Sequence, residues 1–77
     1  MQVEILTPDK SLFSGEAEVV TLPGTDGQFQ ILNNHAALVS SLAAGIISIK
    51  TVAGGEEKVT ISGGVVEVLN NKIIVLA

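Results

Sequence analysis

The sequence predicts an all-β fold of two packed antiparallel sheets, with at most one short helical turn. Three observations carry this. Polar and apolar residues alternate with a period of two over nearly the whole chain, the pattern of half-buried strands. Gly and Asn pairs fall between the alternating stretches, where tight turns need them. Hydrophobic residues make up 47% of the chain but aromatics only 3%, so the apolar content is Val, Ile, Leu and Ala, which suits interdigitating strands. Several short strands with regular turn signals imply a β-sandwich or barrel.

Along the chain, Gln2-Val3-Glu4-Ile5 alternates first, and Pro8-Asp9 then signals a turn. Ala17-Glu18-Val19 and Val20-Thr21-Leu22 continue the pattern up to Pro23-Gly24, a turn or strand-edge signal. Gly27, Phe29 and Ile31 share one face of the next strand, and Gln28, Gln30 and Leu32 the other. Asn34–Ala44 is the one segment with helical composition. It is short and stops at Gly45, so one or two turns are the most it can support. Ile47, Ile49 and Thr51 oppose Ser48 and Lys50, and Gly54-Gly55 separates this strand from Glu57–Ile61. Gly63-Gly64 directly follows a strand, which predicts a bulge or a close approach of another backbone. Asn70-Asn71 joins Val65–Leu69 to Lys72–Leu76, because Asn tolerates the positive φ of a two-residue hairpin.

At 77 residues there is room for one domain, residues 1–77, with one small core. Such a chain buries only roughly 60% of its unfolded surface, so its stability is expected to be modest unless a partner adds to it. Charged residues are 16% of the chain, below the usual value of about a quarter. Either much of the chain is buried in an assembly, or its exposed face is unusually neutral. The net charge is −4, from eight acidic residues, four lysines and no arginine. The lysines are scattered singly, whereas nucleic acid needs them clustered against phosphates. An anionic membrane surface is disfavoured for the same reason. There is no cysteine, hence no disulfide, thiol nucleophile or thiolate metal site. The amino terminus is too short and acidic for a signal peptide, and no apolar stretch approaches the roughly 20 residues of a membrane span. The expected location is the cytosol, with no direct membrane insertion and membrane association only through partners.

Catalytic and ligand chemistry finds little support. Gly24-Thr25-Asp26-Gly27 lacks the Lys-Ser/Thr and the helix of a phosphate loop, and its aspartate repels phosphate, so it reads as a turn. One histidine cannot make a metal site, and Ser40 and Ser41 lack any sign of a nucleophile elbow beside His35. No catalytic, cofactor or metal residues are expected. The plain reading of His35 is a corner residue satisfied by backbone hydrogen bonds. Phe29 either marks a contact surface near a loop tip or points inward with Ile31, which the alternation slightly favours; Phe13 reads as a core anchor. Asp9-Lys10-Ser11 invites an alternative, a lipoyl or biotinyl carrier domain. These are small, acidic and all-β, but their modifiable lysine lies mid-domain, and no lysine occupies residues 11–49 here.

The most informative stretch runs from Leu22 to Ala36. Two glycines bracket an acidic tip, a short alternating strand follows, and a polar corner holds His35. With Leu12-Phe13-Ser14-Gly15-Glu16 before it, Ser62-Gly63-Gly64 and Glu67-Val68 after it, and the closing Val75-Leu76-Ala77, the ordered set closely resembles the amino-terminal domain of the epsilon subunit of F-type ATP synthases. The resemblance covers essentially the whole chain. It implies a flattened two-sheet sandwich acting as a non-catalytic piece of the central stalk. Such a piece couples the gamma subunit to the c ring in proton-driven ATP synthesis, at the cytoplasmic face of the bacterial inner membrane. It implies a gamma-facing set of His35, Ser40 and Ser62, and a c-ring-facing edge of Asp26, Gln28, Phe29 and Gln30. Three positions depart from the family: Gln28 stands where it usually has an acidic residue, Gln30 where it has glycine, and Ala37 where it has proline. A charge pairing at Gln28 therefore does not carry over. Most bacterial relatives continue into two carboxy-terminal helices that mediate inhibition of hydrolysis and, in some species, bind ATP. Residues 1–77 hold no counterpart of them, so neither ATP binding nor inhibition through such an arm is expected of these residues.

Overall fold

Eight strands and no helix make up the computed structural model, which describes residues 1–77. They are β1 (Gln2–Leu6), β2 (Ser11–Gly24), β3 (Gly27–Leu32), β4 (Leu38–Leu42), β5 (Gly45–Thr51), β6 (Glu56–Ile61), β7 (Gly64–Leu69) and β8 (Lys72–Leu76). The hydrogen-bonded order is β1-β8-β7-β4-β2-β5-β6, with β3 on the other side of β2.

The long β2 joins the two layers. Its first half pairs with β1, from Leu6 opposite Ser11 to Gln2 opposite Glu16. Its second half lies between β3 and β5. The pairing with β5 skips Glu18, so a bulge sits where β2 passes from one layer to the other, the usual device for bending a strand. One layer is then β1-β8-β7-β4 and the other β3-β2-β5-β6. Pairing is antiparallel except between β1 and β8, which run side by side in parallel.

The inward phase of every strand carries the branched aliphatic residues that the alternation marked. Val3, Ile5, Val66, Val68, Ile73 and Val75 from one layer meet Val20, Leu22, Ile31, Ile47 and Ile49 from the other in one core of fifteen buried residues. Phe13 packs against it. No polar or charged residue is buried.

One local expectation is corrected. Asn34–Ala44 forms no helix: Asn34 turns the chain at φ 62°, and Leu38–Leu42 becomes β4. A nucleus of one or two helical turns cannot compete with the ladder β4 forms against β7, and Leu38 and Leu42 both fall on its inward phase. Pro23-Gly24 is the last pair of β2, opposite Gln28 and Gly27; the turn itself is Thr25-Asp26. Gly63-Gly64 behaves as its sequence suggests. Both residues have positive φ, and a Cβ on Gly64 would collide with the carbonyl oxygen of Leu76.

Candidate interaction surface

The outward phases of the two layers differ in chemistry. On the β3-β2-β5-β6 layer, one row runs Gln30, Thr21, Ser48, Lys58 and the next Leu32, Val19, Lys50, Glu56. Gln30 Nε2 donates to Thr21 Oγ1 at 3.2 Å. Leu32, Ile46 and, in the turn after β5, Val52 are exposed there, but they lie apart from one another: Leu32 opposite Val19 and Ile46 opposite Thr60.

On the β1-β8-β7-β4 layer the outward phase is largely aliphatic. The registers align Ser41, Val65, Leu76 and Leu6 in one row and Val39, Glu67, Ile74 and Glu4 in the next. Val39 is 70% exposed, Leu76 58%, Leu69 52% and Val65 42%, so four large apolar side chains share one uncovered face. An open groove of about 290 Å³ lies at the end of this face where β4 begins and β7 ends, lined by Ala37, Leu38, Val39, Glu67, Val68 and Leu69. Contiguous apolar surface of this kind marks an interaction site more often than scattered exposed residues do. The sequence carried the signal in Val65-Val66 and Val68-Leu69 and in the unbroken run Ile73-Ile74-Val75-Leu76. Consecutive apolar residues in a strand put aliphatic groups on both faces, as in sheets covered on both sides.

The residues singled out from sequence lie at two ends of the molecule and do not share this face: Gln28 and Gln30 belong to the outward phase of the other layer. His35 precedes β4, with its backbone N–H donating to Leu32 O at 3.2 Å and its Nδ1 2.7 Å from Ala36 O. Asn34 beside it donates its backbone N–H to Asn71 Oδ1 at 2.8 Å, which ties this corner to the β7–β8 hairpin. Ser40 lies mid-strand on the inward phase of β4 and is half-buried. Ser62 is exposed beyond the other end, where Leu42 pairs with Gly64. His35 and Ser62 therefore flank β4 and do not converge; five strand residues alone span about 13 Å.

Asp26 and Gln28 stand exposed at the tip of the β2–β3 hairpin, with Gln30 farther along the same outward face. Phe29 points the other way, half-buried against the core. The tip is anchored by Thr25 N–H to Ser41 O at 3.2 Å, so it shares an end of the molecule with Ser62. No group of three or more His, Cys, Asp or Glu residues is placed to hold a metal ion. Lys10, the residue behind the carrier alternative, is exposed in the β1–β2 connection, its carbonyl accepting from Thr7 N–H at 2.8 Å.

The chain is thus a β-sandwich with a wholly apolar interior and one uncovered aliphatic face. The family model described as the ATP synthase delta/epsilon chain beta-sandwich domain matches residues 1–77, and the chain belongs to that family. It is 43% identical over 76 residues to the ATP synthase epsilon chain of Campylobacter fetus, covering 99% of this chain and 59% of that one. It is 46% identical over 76 residues to that of Sulfurimonas denitrificans, covering 99% and 58%. The chain thus spans somewhat over half the length of these relatives. The fold is shared with a chain in the Euglena gracilis mitochondrial ATP synthase structure of OSCP, F1 and c-ring, with a TM-score of 0.89 at 22% identity over 97% of this chain and 48% of that one. A chain from the Tetrahymena thermophila mitochondrial ATP synthase central stalk and c-ring gives 0.80 at 24% identity, covering 99% and 61%.

Proposed function

We propose that residues 1–77 are the β-sandwich part of an ATP synthase epsilon subunit. In this reading they are a non-catalytic element of the central stalk that docks on the gamma subunit and faces the c ring. The observation that carries it is the aliphatic outer face of β4, β7 and β8. Leaving Val39, Val65, Leu69 and Leu76 in water has no structural purpose in a chain this small, and covering them contributes roughly 25 cal/mol per Å². The family membership and the names of the relatives support this reading. His35 and Ser62 form the polar rim of the gamma contact, with Ser40 in the strand between them. Asp26, Gln28 and Gln30 form the c-ring-facing tip, with Phe29 supporting it from within.

The location proposed is peripheral, at the cytoplasmic face of the bacterial inner membrane and through the complex; no helix of the structure is long and apolar enough to cross a membrane. Cysteines introduced singly at His35, Ser40 and Ser62 test the gamma contact. Crosslinks to gamma in the assembled complex from the two exposed positions are the expected result. Failure at all three in an intact complex contradicts the reading.

A further inference from the structure

We infer that the surface docking on the aliphatic face brings a basic side chain, arginine or lysine, to Glu67 and Glu4. The inference rests on the docking reading above and adds the chemistry of the partner. Glu67 stands opposite Ile74, and Ile74 opposite Glu4, so two carboxylates flank one isoleucine on the same outer face. Adjacent strands lie about 4.8 Å apart, which sets the two glutamate backbones roughly 10 Å apart. One guanidinium seated over Ile74 reaches both. Val39 extends the row on the far side of Glu67 and is the most exposed aliphatic residue of the face.

Neither carboxylate is paired within the chain. The ion pairs are Met1 ammonium to Glu16 and Lys58 to Glu56, both elsewhere. Lys72 lines the same outer surface of β8 near Glu67, but makes no ion pair. Covering the aliphatic row removes water from both glutamates, and a desolvated carboxylate without a cation is strongly unfavourable. Lys72, two residues before Ile74 on the same phase of β8, offsets at most one of the two carboxylates, so the surface best suited to cover this face supplies the remaining charge. A second copy of this chain does not. A two-fold contact sets the same patch against itself, bringing carboxylates to carboxylates with one lysine per copy to offset them.

The test is the affinity of the chain for the catalytic assembly that contains gamma and lacks this subunit, measured at low and high salt. The wild type should weaken as salt rises. Replacing both carboxylates, Glu4→Gln with Glu67→Gln, should weaken binding about tenfold at low salt and remove most of the salt dependence. Glutamine keeps the side-chain shape, and an unchanged melting temperature confirms the fold. Glu57→Gln on the opposite layer should change nothing. Val39→Ser probes docking alone and should weaken binding at both salts with the salt dependence intact. If Val39→Ser weakens binding while the double glutamine variant matches the wild type in affinity and salt dependence, the cation inference is wrong and the docking reading stands. If none of the variants changes binding, or the wild type does not bind, both fall.

Discussion

The ring of Phe29 lies against the backbone of Gly24 across the β2–β3 hairpin, so closely that a Cβ at Gly24 would come within 2.8 Å of the ring's Cε1 and 2.6 Å of the carbonyl oxygen of Gly27. This contact explains Gly24, the first of the two glycines that bracket the tip; Gly27, where a Cβ would meet nothing, is required instead by its φ of 126°. The same contact also explains why Phe29 leaves the exposed face to Gln28 and Gln30: its ring fills the space that Gly24 vacates.

Gly24→Ala should therefore destabilise the fold by about 1–3 kcal/mol, by forcing the ring or the hairpin aside. Gly64→Ala should cost more, because the obstacle is the Leu76 carbonyl and φ is 146°. Thermal melts check both, at roughly 4–8 °C per kcal/mol for a chain of this size. Equal melting temperatures for the wild type and both variants would remove the close-approach account.

The layering makes a second contrast. Ile73 is fully buried, whereas Ile46 is 54% exposed on the polar outer layer. Ile73→Ala should lose about 2–5 kcal/mol, and Ile46→Ala no more than about 0.5 kcal/mol. Denaturant titration of the two variants gives the comparison, and similar losses would mean the inward and outward phases are misassigned.

Most of this architecture was legible in the sequence, because a strand with one buried face writes its phase into the residue order. Lys58–Ile61 and Val65–Leu69 needed nothing else. The segment Asn34–Ala44 misled because Ala36, Ala37, Ala43 and Ala44 favour a helix locally, while β4 is fixed by a partner strand more than twenty residues away. The parallel β1–β8 pair is equally invisible to local pattern, since it joins the two ends of the chain. The aliphatic outer face was written as consecutive apolar residues in β7 and β8, but which phase is outward depends on the register with β4. His35, Ser40 and Ser62 came from family likeness alone, and the fold arrays them along β4 without clustering them.

At the hairpin tip, Gln28→Ala with Gln30→Ala should loosen proton-driven coupling while leaving gamma binding intact. The stability cost should be small, because both side chains are exposed and the Gln30 to Thr21 hydrogen bond is open to solvent. With glutamines in place of a carboxylate, this contact should respond weakly to salt. Coupling measured in membranes carrying the double variant decides it, and normal coupling would count against the c-ring-facing tip.

Residues 1–77 should show no saturable binding of ATP in calorimetric titration. The grooves on the surface are open and their linings offer no nest of backbone N–H groups at a helix terminus, the arrangement that phosphates favour. Micromolar binding would place a nucleotide site on the sandwich itself.

The central claim is that the face bearing Val39 and Leu69 is covered in the assembly while the opposite layer, away from the β2–β3 hairpin tip, stays open at Lys50. The chain has no cysteine, so single cysteines at Val39, Leu69 and Lys50 can be labelled with a maleimide one at a time. All three positions are exposed in the isolated chain and should react there at similar rates. In the assembled complex, Val39→Cys and Leu69→Cys should be protected about tenfold or more, as for a contact buried nine-tenths of the time, while Lys50→Cys keeps its rate. Equal labelling of all three in an intact complex, or protection at Lys50→Cys alone, would contradict the account.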